Sequence, residues 1–408
     1  MDISTIKNQF PLLLQNPNLI YLDNAATTHK PQNVLSAMDQ YYKVHNANVG
    51  RGNHDLVKLS TQDYENARTK VAQYLHAFNS DEIIFTQGTT DSLNKISQML
   101  VDRINPDDII AISISDHHSN FLPWQQITKN KDASLVTIGV TSNFELDLDT
   151  FFAKHPMEKV KVAAIPAISN VIGKVNHIQQ IIERIKKENP DTLVIVDAAQ
   201  AIGHEYLNVK RIDCDALAFS AHKMYGPQGI GVLYVKHELL ATLSPVVLGG
   251  GMVESVTIDN YKPTTIPQRF EAGTPNVAGT VGLQTAIEFM QSIGIAEIKK
   301  HEQELVKYLV EKLQATITSG LHIYTDTNKL QNQSGIISFS IDGIDSIDIA
   351  NFLNDDGICV RSGEQCAYPL HEQVIKTSTV RISFAIYNTK EEIDQMIESL
   401  SKAIKMLK

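Results

Sequence analysis

Short apolar segments alternate with amphipathic ones between roughly residues 80 and 235. The apolar segments are EIIF (82–85), DIIAISIS (108–115), KVAAIPAIS (161–169), TLVIVDAAQ (192–200), and the two runs that flank Lys223, ALAF (216–219) and GIGVLYV (229–235). Each consists mainly of apolar residues, which is typical of strands buried on both faces of a parallel sheet. Between two of them, Ile178, Ile182 and Ile185 recur at helical spacing. The alternation predicts an α/β domain with helices on both faces of the sheet.

The pattern changes beyond about residue 290. Apolar or alternating segments appear at GIISFSI (335–341), ICV (358–360) and VRISFAI (380–386). The last helix is predicted to open with a capping box, Thr389 and Glu392. It continues with one apolar stripe, formed by Ile393, Met396, Ile397, Leu400, Ile404 and Leu407. These features predict a smaller α+β domain over residues 291–408, a large domain over 21–290, and an N-terminal segment, 1–20, that packs with the small domain.

Composition narrows the class of protein. The chain has 408 residues, 43% of them hydrophobic and 20% charged, as is ordinary for a globular protein. Its 46 acidic and 36 basic residues give a net charge of −10, which argues against nucleic acids or an anionic membrane surface as partners. No apolar run is long enough to span a membrane, and the N-terminus does not resemble a secretory signal. Three cysteines make no disulfide framework, so we expect a cytoplasmic protein with reduced thiols.

Three polar features lie where predicted strands end. TQGTTD (86–91) follows one strand and opens a helical segment, Asp197 in VDAAQ ends another, and Lys223 follows the strand ALAF. Ligands of open α/β sheets bind at the carboxyl ends of the strands. The glycine and threonines are suited to an anion, because a helix N-terminus offers free N–H groups beside two hydroxyls. Taken singly, the threonines and Asp197 fit plain helix capping equally well.

Together the three features suit pyridoxal 5′-phosphate (PLP). Its phosphate needs N–H and hydroxyl donors, its pyridine nitrogen needs an acid that keeps it protonated, and its aldehyde needs an amine. A lysine amine attacks only when it is deprotonated, and burial disfavours the charged form. The sequence therefore predicts that Lys223 forms a Schiff base with PLP and that Asp197 pairs with the ring nitrogen. No metal site is predicted.

Several motifs resemble those of a known family. They are SAHKMYGPQGIG (220–231), YLDNAATT (21–28), NVGRGNH (48–54), DHHSN (116–120), RFEAGTPN (269–276) and RSGEQCAYPL (361–370). They are similar to motifs of the class V aminotransferase superfamily, and within it to the type II (Suf-like) cysteine desulfurases and selenocysteine lyases. The resemblance covers nearly the whole chain from about Tyr21. It implies fold type I of the PLP enzymes: a large domain with a mostly parallel, seven-stranded sheet and a smaller C-terminal domain.

The resemblance also implies how the cofactor is held. Ser220, His222, Thr89 and Thr90 would bind the phosphate, Asp197 the ring nitrogen and Lys223 the aldehyde, while Gln200 approaches the phenolic oxygen, His117 stacks on the ring, and Asn170 lies near ring and substrate. Thr274 would reach the phosphate of the neighbouring subunit. The resemblance therefore implies a homodimer with shared active sites.

Substrate binding and sulfur transfer follow from the same resemblance. Arg381 would hold the substrate α-carboxylate in a bidentate pair, and Arg361 would assist substrate binding near the thiol. Cys366, in a loop, would take the sulfur of L-cysteine as a persulfide and leave L-alanine. Lys223, Cys366 and His117 are thus the predicted catalytic residues. The implied activity is that of a cysteine desulfurase for iron–sulfur cluster assembly, with a Suf-type sulfur-acceptor protein as partner.

Two positions depart from the pattern. Gly50 stands where relatives commonly carry a histidine, and Glu364-Gln365 precedes the cysteine where relatives commonly place a histidine. A carboxylate so close is expected to disfavour the thiolate, and a glutamine cannot relay protons. The remaining cysteines, Cys214 and Cys359, are predicted to be packed structural thiols.

Alternative interpretations remain open. A selenocysteine lyase would share every cofactor residue, and another class V transaminase or lyase would not use Cys366. A non-catalytic assembly subunit is disfavoured by the intact Lys223, Asp197 and Arg381. For single residues, His117 would also fit as the cap of a strand end, and Arg381 as an exposed position on a strand.

Overall fold

The structure, a computed structural model, describes residues 2–50 and 52–407. Met1, Arg51 and Lys408 lie outside the described residues. The motif NVGRGNH, the predicted N-terminal segment (1–20) and the predicted small domain (291–408) are therefore described only in part. No helix within 2–50 or 52–407 is both long and apolar enough to cross a membrane.

Strands occur along most of the chain. In chain order they are β1 (Ile20–Tyr21), β2 (Ile83–Thr86), β3 (Ile109–Ser113), β4 (Ser134–Ile138), β5 (Val160–Pro166), β6 (Leu193–Asp197), β7 (Ala216–Ser220), β8 (Gly231–Val235), β9 (Val253–Val256), β10 (Tyr261–Pro263), β11 (Leu321–Ile323), β12 (Ile336–Ile341), β13 (Ile358–Cys359), β14 (Arg361–Gly363) and β15 (Thr379–Ser383).

Helices separate most of these strands. They are α1 (Ile3–Lys7), α2 (Pro11–Gln15), α3 (Gln32–Val44), α4 (Asp55–Leu75), α5 (Thr89–Met99), α6 (His118–Lys131), α7 (Leu148–Lys154), α8 (Ile178–Glu188), α9 (Val209–Ile212), α10 (His237–Ala241), α11 (Val277–Ile293), α12 (Ile295–Thr316), α13 (Ser346–Asp355), α14 (Tyr368–Leu370) and α15 (Lys390–Leu407).

The large sheet has seven strands in the order β2-β8-β7-β6-β5-β3-β4. Strand β8 runs antiparallel to both of its neighbours, and the other adjacent pairs are parallel. The predicted mostly parallel, seven-stranded sheet is therefore confirmed. Its strands are apolar on both faces because helices cover both. Ile83 belongs to the apolar cluster that includes residues of α4, α8 and α11, whereas the next residue, Ile84, belongs to the cluster that includes residues of α5 and α6.

A second, antiparallel sheet has the order β11-β12-β15-β14. Helices α12, α13 and α15 pack against it through a separate apolar cluster. Helix α15 begins with the predicted capping box, since Glu392 N donates to Thr389 Oγ1 at 3.3 Å and Thr389 N to Glu392 Oε2 at 3.2 Å. This part of the chain is the predicted small α+β unit.

The N-terminal segment contacts both parts of the molecule. Strand β1 pairs in parallel with β13, and Lys7 forms an ion pair with Glu392 of α15. Phe10, by contrast, packs edge-on against Phe289 of α11 with ring centroids 5.8 Å apart. The division at residues 20 and 290 stays a prediction.

The carboxyl ends of the parallel strands carry the polar features that the sequence singled out. Asp197 ends β6, Ser220 ends β7, and a single 3₁₀ turn after β7 ends at Lys223. Next to them, β2 ends at Thr86, and α5 begins at Thr89. Segments of the small sheet close the space above this edge.

Candidate active site

One pocket of about 290 Å³ collects nearly all of the predicted site residues. Those that line it are Thr89, Thr90, His117, Asn170, Asp197, Gln200, Ser220, His222, Lys223, Arg361, Cys366 and Arg381; its walls also include Ala25, Ala26, Ser119, Pro166, Ile168, Ala199 and Gln365. Thr274 does not line it. The residues come from both sheets, so the pocket lies where the two parts of the chain meet.

Lys223 lines this pocket, and its side-chain amine makes no hydrogen bond to any described residue. Burial lowers the pKa of Lys223 to about 8, and the negative charge of Asp197 opposes that shift. An amine with such a pKa is deprotonated in a useful fraction of molecules near neutral pH. Lys223 is therefore suited to attack an aldehyde.

Asp197 supplies a buried negative charge beside the lysine. Its Oδ1 accepts a hydrogen bond from Ala199 N at 2.8 Å. Burial raises the pKa of Asp197, while that hydrogen bond and Lys223 favour the ionised form. A second buried carboxyl, Asp116, has its pKa raised by burial and further by Asp197. A cationic N–H group in the pocket would compensate the buried charge of Asp197.

The N-terminus of α5 forms an anion seat with β7. Thr89 N donates to Ser220 Oγ at 2.7 Å, and the hydroxyls of these two residues lie 2.7 Å apart. The loop packs directly on β8 because Gly231 has no side chain: a Cβ there would lie 2.4 Å from Gly88 Cα. Free N–H groups, hydroxyls and the helix dipole together suit a phosphate.

His117 both caps a helix and faces the pocket. It is the N-cap of α6, where its Nδ1 accepts a hydrogen bond from Ser119 N at 3.1 Å. Because Nδ1 is the acceptor, the neutral ring carries its proton on Nε2. Burial, with a smaller contribution from Lys223, lowers the pKa of His117 to about 3. A neutral imidazole in this position can stack on an aromatic ring.

Arg381 is buried in β15, which rules out an exposed position on the strand. Its Nη1 donates to Asn170 O at 3.0 Å and its Nη2 to Asp23 Oδ1 at 2.9 Å. Burial lowers the pKa of Arg381, and Asp23 opposes that shift. Its Nε is buried without a hydrogen-bond partner, so a donor remains for a carboxylate ligand. Arg361 is exposed at the mouth of the same pocket.

Cys366 is exposed in the loop between β14 and α14, as predicted, and lines the same pocket. A negative charge on its thiol raises the pKa of Lys223 and of Arg381, which places the thiol near both groups. Glu364 does not line the pocket; its carboxylate instead opposes the lowering of the pKa of His371 by burial. The expected effect of Glu364 on the thiolate stays a prediction.

The other two cysteines differ from one another. Cys214 is fully buried, and burial raises its pKa, in agreement with a packed structural thiol. Cys359 is only partly buried, because its neighbour Ile358 takes the inward position of the short strand β13. The prediction of a packed core thiol is therefore correct for Cys214 and only half correct for Cys359.

Thr274 and Gly50 lie together in a different cavity of the same chain, with Tyr64 and Glu271. Thr274 is exposed there, and the neighbouring Asn276 donates to Gly229 O at 3.0 Å, six residues beyond Lys223. Gly50 has a φ of +82°, a conformation that a histidine rarely adopts.

Unpaired polar atoms test whether PLP fits. Gln200 Oε1, His222 Nδ1, Asn170 Oδ1 and Arg381 Nε are buried without a hydrogen-bond partner, and all four residues line the pocket. Leaving such atoms unpaired is costly, so the pocket is built for a polar ligand. Its anion seat, buried acid and free amine match the phosphate, ring nitrogen and aldehyde of PLP. The residues present fit the cofactor.

Some residues of the site were not found from sequence. Ser119 lies within the quoted motif DHHSN, and its hydroxyl is 2.7 Å from Thr90 Oγ1. Asp23 lies within YLDNAATT and holds Arg381. Both were detectable as polar members of recognised motifs. Gln365 lies within the motif RSGEQCAYPL, but the sequence marked it only as a departure from the family pattern, because its contacts are with Asn170 and Thr379, which the motif does not contain.

Comparison with known proteins gives a family match over most of the chain. Residues 20–396 match the family model described as aminotransferase class-V. A probable cysteine desulfurase of Halalkalibacterium halodurans is 40% identical over 406 residues, which cover 98% of both chains. A probable cysteine desulfurase of Vibrio cholerae is 39% identical over 413 residues, covering 100% of both.

Solved structures resemble the whole fold. The cysteine desulfurase of Thermococcus onnurineus, in its apo form, superposes with a TM-score of 0.93 and 36% identity, covering 99% of this chain and 98% of that one. A cysteine desulfurase of Escherichia coli in an S-sulfonic acid form gives a TM-score of 0.89 and 33% identity, covering 100% and 99%.

Proposed function

The chain belongs to the aminotransferase class-V family, and from this premise we propose that it is a PLP-dependent cysteine desulfurase. One observation carries the proposal: Lys223, Asp197, Arg381 and Cys366 line a single pocket. The first two suit the cofactor, the third suits an amino-acid carboxylate, and the fourth is an exposed thiol. The names of the similar proteins point to the same reaction.

Different pocket residues would hold different parts of the cofactor. Lys223 would bind the aldehyde covalently, Asp197 would face the ring nitrogen, and His117 would lie against the ring, with Asn170 and Gln200 nearby. The phosphate would be bound by Thr89, Thr90, Ser220 and His222, and by Thr274 of a second subunit. When bound, PLP supplies an electron sink for the bonds of the substrate carbon atoms.

Arg381 orients the substrate. Its unpartnered Nε and a second N–H of Nη2 would donate to the α-carboxylate of L-cysteine, while Asp23 and Asn170 fix the guanidinium plane. Lys223, with a pKa of about 8, can both take up and release a proton at the substrate α-carbon. Holding the carboxylate fixed directs the substrate sulfur toward Cys366.

Cys366 removes the sulfur as a nucleophile. Its thiolate attacks the substrate sulfur, a sulfur–sulfur bond forms, and the bond between Cβ and sulfur breaks. The electron pair of that bond stays with the organic fragment, which takes up a proton and leaves as L-alanine. The enzyme retains the sulfur as a Cys366 persulfide, so cysteine and thiol are converted to alanine and persulfide without another reactant.

Mass spectrometry of the holoenzyme after incubation with L-cysteine tests this proposal. We expect one added sulfur atom on the peptide that contains Cys366, and none on those that contain Cys214 or Cys359. Cys366→Ala should stop alanine release and leave the cofactor absorbance intact. Full activity of Cys366→Ala on L-cysteine would contradict the persulfide mechanism and favour a selenocysteine lyase or another class V reaction.

We also propose a cytoplasmic homodimer that passes its sulfur to a Suf-type acceptor protein for iron–sulfur cluster assembly. The exposed position of Thr274, outside the Lys223 pocket of its own chain, supports a shared site. Sedimentation should give a dimer at assay concentration, and an active monomer would refute the shared site. Addition of an acceptor protein or a strong thiol should accelerate turnover, because the persulfide must leave before the next cycle.

A further inference from the structure

The cysteine loop has an unusual backbone. Gly363, Gln365 and Cys366 have φ values of +96°, +45° and +59°. Only the first is a glycine, and a side chain makes this left-handed region unfavourable. Two successive non-glycine residues in it persist only where surrounding contacts hold them. The contacts that hold this loop therefore decide where the Cys366 thiol lies.

The side chain of Gln365 makes two of these contacts with one residue of β15. It is 5% exposed; its Nε2 donates to Thr379 O at 3.1 Å, and its Oε1 accepts from Thr379 Oγ1 at 2.9 Å. Both ends of the amide are thus used by Thr379, which is fully buried. An amide can do this because it has a donor and an acceptor, whereas a carboxylate would set an acceptor against the Thr379 carbonyl.

The backbone of the loop is held from the opposite side. Asn170 Nδ2 donates to Gln365 O at 2.7 Å, and His118 N donates to Cys366 O at 2.8 Å. The carbonyl of Asn170 in turn accepts from Arg381 Nη1 at 3.0 Å. Since Arg381 lies two residues after Thr379 in β15, the contacts form a closed ring that joins β15, the cysteine loop and Asn170.

We propose that Gln365, together with Thr379, is a positioning residue that fixes the Cys366 thiol relative to Arg381. This deepens the proposed function, since it rests on Cys366 and Arg381 acting on the same substrate molecule. The thiol must meet the substrate sulfur while Arg381 holds the carboxylate of that molecule. A loop released from Thr379 would leave cofactor and substrate binding in place and slow the transfer of sulfur.

The experiment compares four variants in the holoenzyme. Gln365→Leu removes both side-chain contacts. Thr379→Val removes the hydroxyl alone, whereas Thr379→Ser keeps the hydroxyl and removes only the methyl group. The matched control is Gln333→Leu, because Gln333 is also a buried glutamine that pairs with a threonine, Thr325, and with backbone carbonyls, but it lies outside the pocket. For each variant, kcat and KM for L-cysteine, cofactor absorbance, and hydrogen exchange of residues 363–367 are measured.

We expect kcat to fall about tenfold or more in Gln365→Leu and about fivefold in Thr379→Val, as one or two hydrogen bonds are lost. KM should change less than about twofold, because Arg381 remains bound to Asn170 and Asp23. Thr379→Ser should keep most of the wild-type kcat. Exchange in the cysteine loop should rise in Gln365→Leu and Thr379→Val, whereas Gln333→Leu should keep the wild-type kcat and loop exchange.

Gln365→Glu adds a pH test. The variant lacks the donor to Thr379 O when ionised and regains it when protonated, so its loss of kcat relative to the wild type should shrink as pH falls. Wild-type kcat and loop exchange in both Gln365→Leu and Thr379→Val would overturn the proposal, and if Gln365→Leu does not fold, Thr379→Val decides alone. A kcat loss in Gln333→Leu equal to that in Gln365→Leu would also overturn it. The proposed function fails separately, through an active Cys366→Ala.

Discussion

At the scale of single residues, the site depends on charges that partly cancel. Burial lowers the pKa of Lys223, His222 and Arg381, and a nearby carboxylate opposes this shift at Lys223 and Arg381 but not at His222. Lys223 is stabilised in its charged form by Asp197, and Arg381 by Asp23. The result is a neutral imidazole, a titrating amine and a permanent cation within one pocket, which are the three states that the proposed reaction needs.

The pKa of Lys223 can be read from the loading of the cofactor. The amine attacks the aldehyde only when deprotonated, so the rate at which the cofactor-free protein takes up PLP should rise with pH, with a midpoint of about 8. Asp197→Asn removes the charge that raises this pKa, and the midpoint should therefore move to lower pH. Stopped-flow absorbance measures both profiles. Lys223→Ala should give no borohydride-reducible adduct, and an unshifted midpoint in Asp197→Asn would contradict the assignment.

Arg381 should control substrate affinity. Arg381→Ala removes the bidentate donor, and a charge-assisted contact of this kind contributes about 1.5–3 kcal/mol, so KM for L-cysteine should rise about tenfold or more. Arg381→Lys keeps the charge without the planar fork and should have a smaller effect. Steady-state kinetics of the two variants separate geometry from charge. Wild-type KM in Arg381→Ala would remove this residue from the substrate site.

At the scale of elements, the sequence predicted the centre of the fold better than its edges. The strands β2, β3, β5, β6, β7 and β8 are apolar on both faces and were recognised. Strand β4 was not, because it lies at the edge of the sheet, where Ser134 and Thr137 are exposed and break the apolar run. The three-residue strands β11 and β14 are too short to leave a pattern; only pairing with longer neighbours defines them.

The candidate site was likewise predictable only where local sequence determines the position of a residue. Residues at or just after strand ends, such as Asp197 and Lys223, are placed by local sequence and were found. The contact between Gln365 and Asn170 joins residues 195 positions apart, and nothing near either one in the sequence specifies it. Motif resemblance located the cysteine loop but gave no reason for the glutamine, since the reason lies in β15.

The contact between β8 and the loop before α5 can be tested with glycine variants. Gly231→Ala would place a Cβ within 2.4 Å of Gly88 Cα and 2.7 Å of Phe219 O, so the anion seat must shift. We expect weaker retention of PLP on dialysis and an unfolding free energy lower by about 1–3 kcal/mol, typical of overpacking. Gly139→Ala is the control, because no atom lies within 4 Å of a Cβ there. Equal retention in the two variants would show that the close packing does not shape the seat.

At the scale of the whole molecule, the pocket exists only while the two sheets stay together. The large sheet supplies Asp197 and Lys223, and the small sheet supplies Arg381 and the cysteine loop. The N-terminal segment touches both parts, through the pairing of β1 with β13 on the small-sheet side and through Phe10 against Phe289 of α11 on the other. Groups buried along this contact must therefore remain in their native protonation states for the site to persist.

His29 is such a group. It packs between Tyr21 and Tyr387, with ring centroids 4.2 Å and 5.6 Å away, and its Nε2 is buried without a partner. Burial lowers the pKa of His29 to about 4, and that of His222 also to about 4, while the pKa of His117 falls to about 3. Between these values and the ordinary histidine pKa of 6.5, the unfolded chain binds more protons than the folded one. Stability must therefore fall as pH decreases through this window.

The contribution of His29 can be isolated from the slope of the unfolding free energy against pH. The free energy of unfolding of the wild type should decrease from pH 6.5 to 4, and each buried histidine contributes up to about 1.4 kcal/mol per pH unit to that decrease. His29→Gln loses the stacking contacts and should be less stable at neutral pH, yet its stability should depend less steeply on pH. His177→Gln, which changes an exposed histidine, should keep the wild-type slope. Urea unfolding at pH 7, 6, 5 and 4.5 measures the three slopes. Equal slopes for the two variants would contradict the prediction, because they would mean that folding does not shift the pKa of His29.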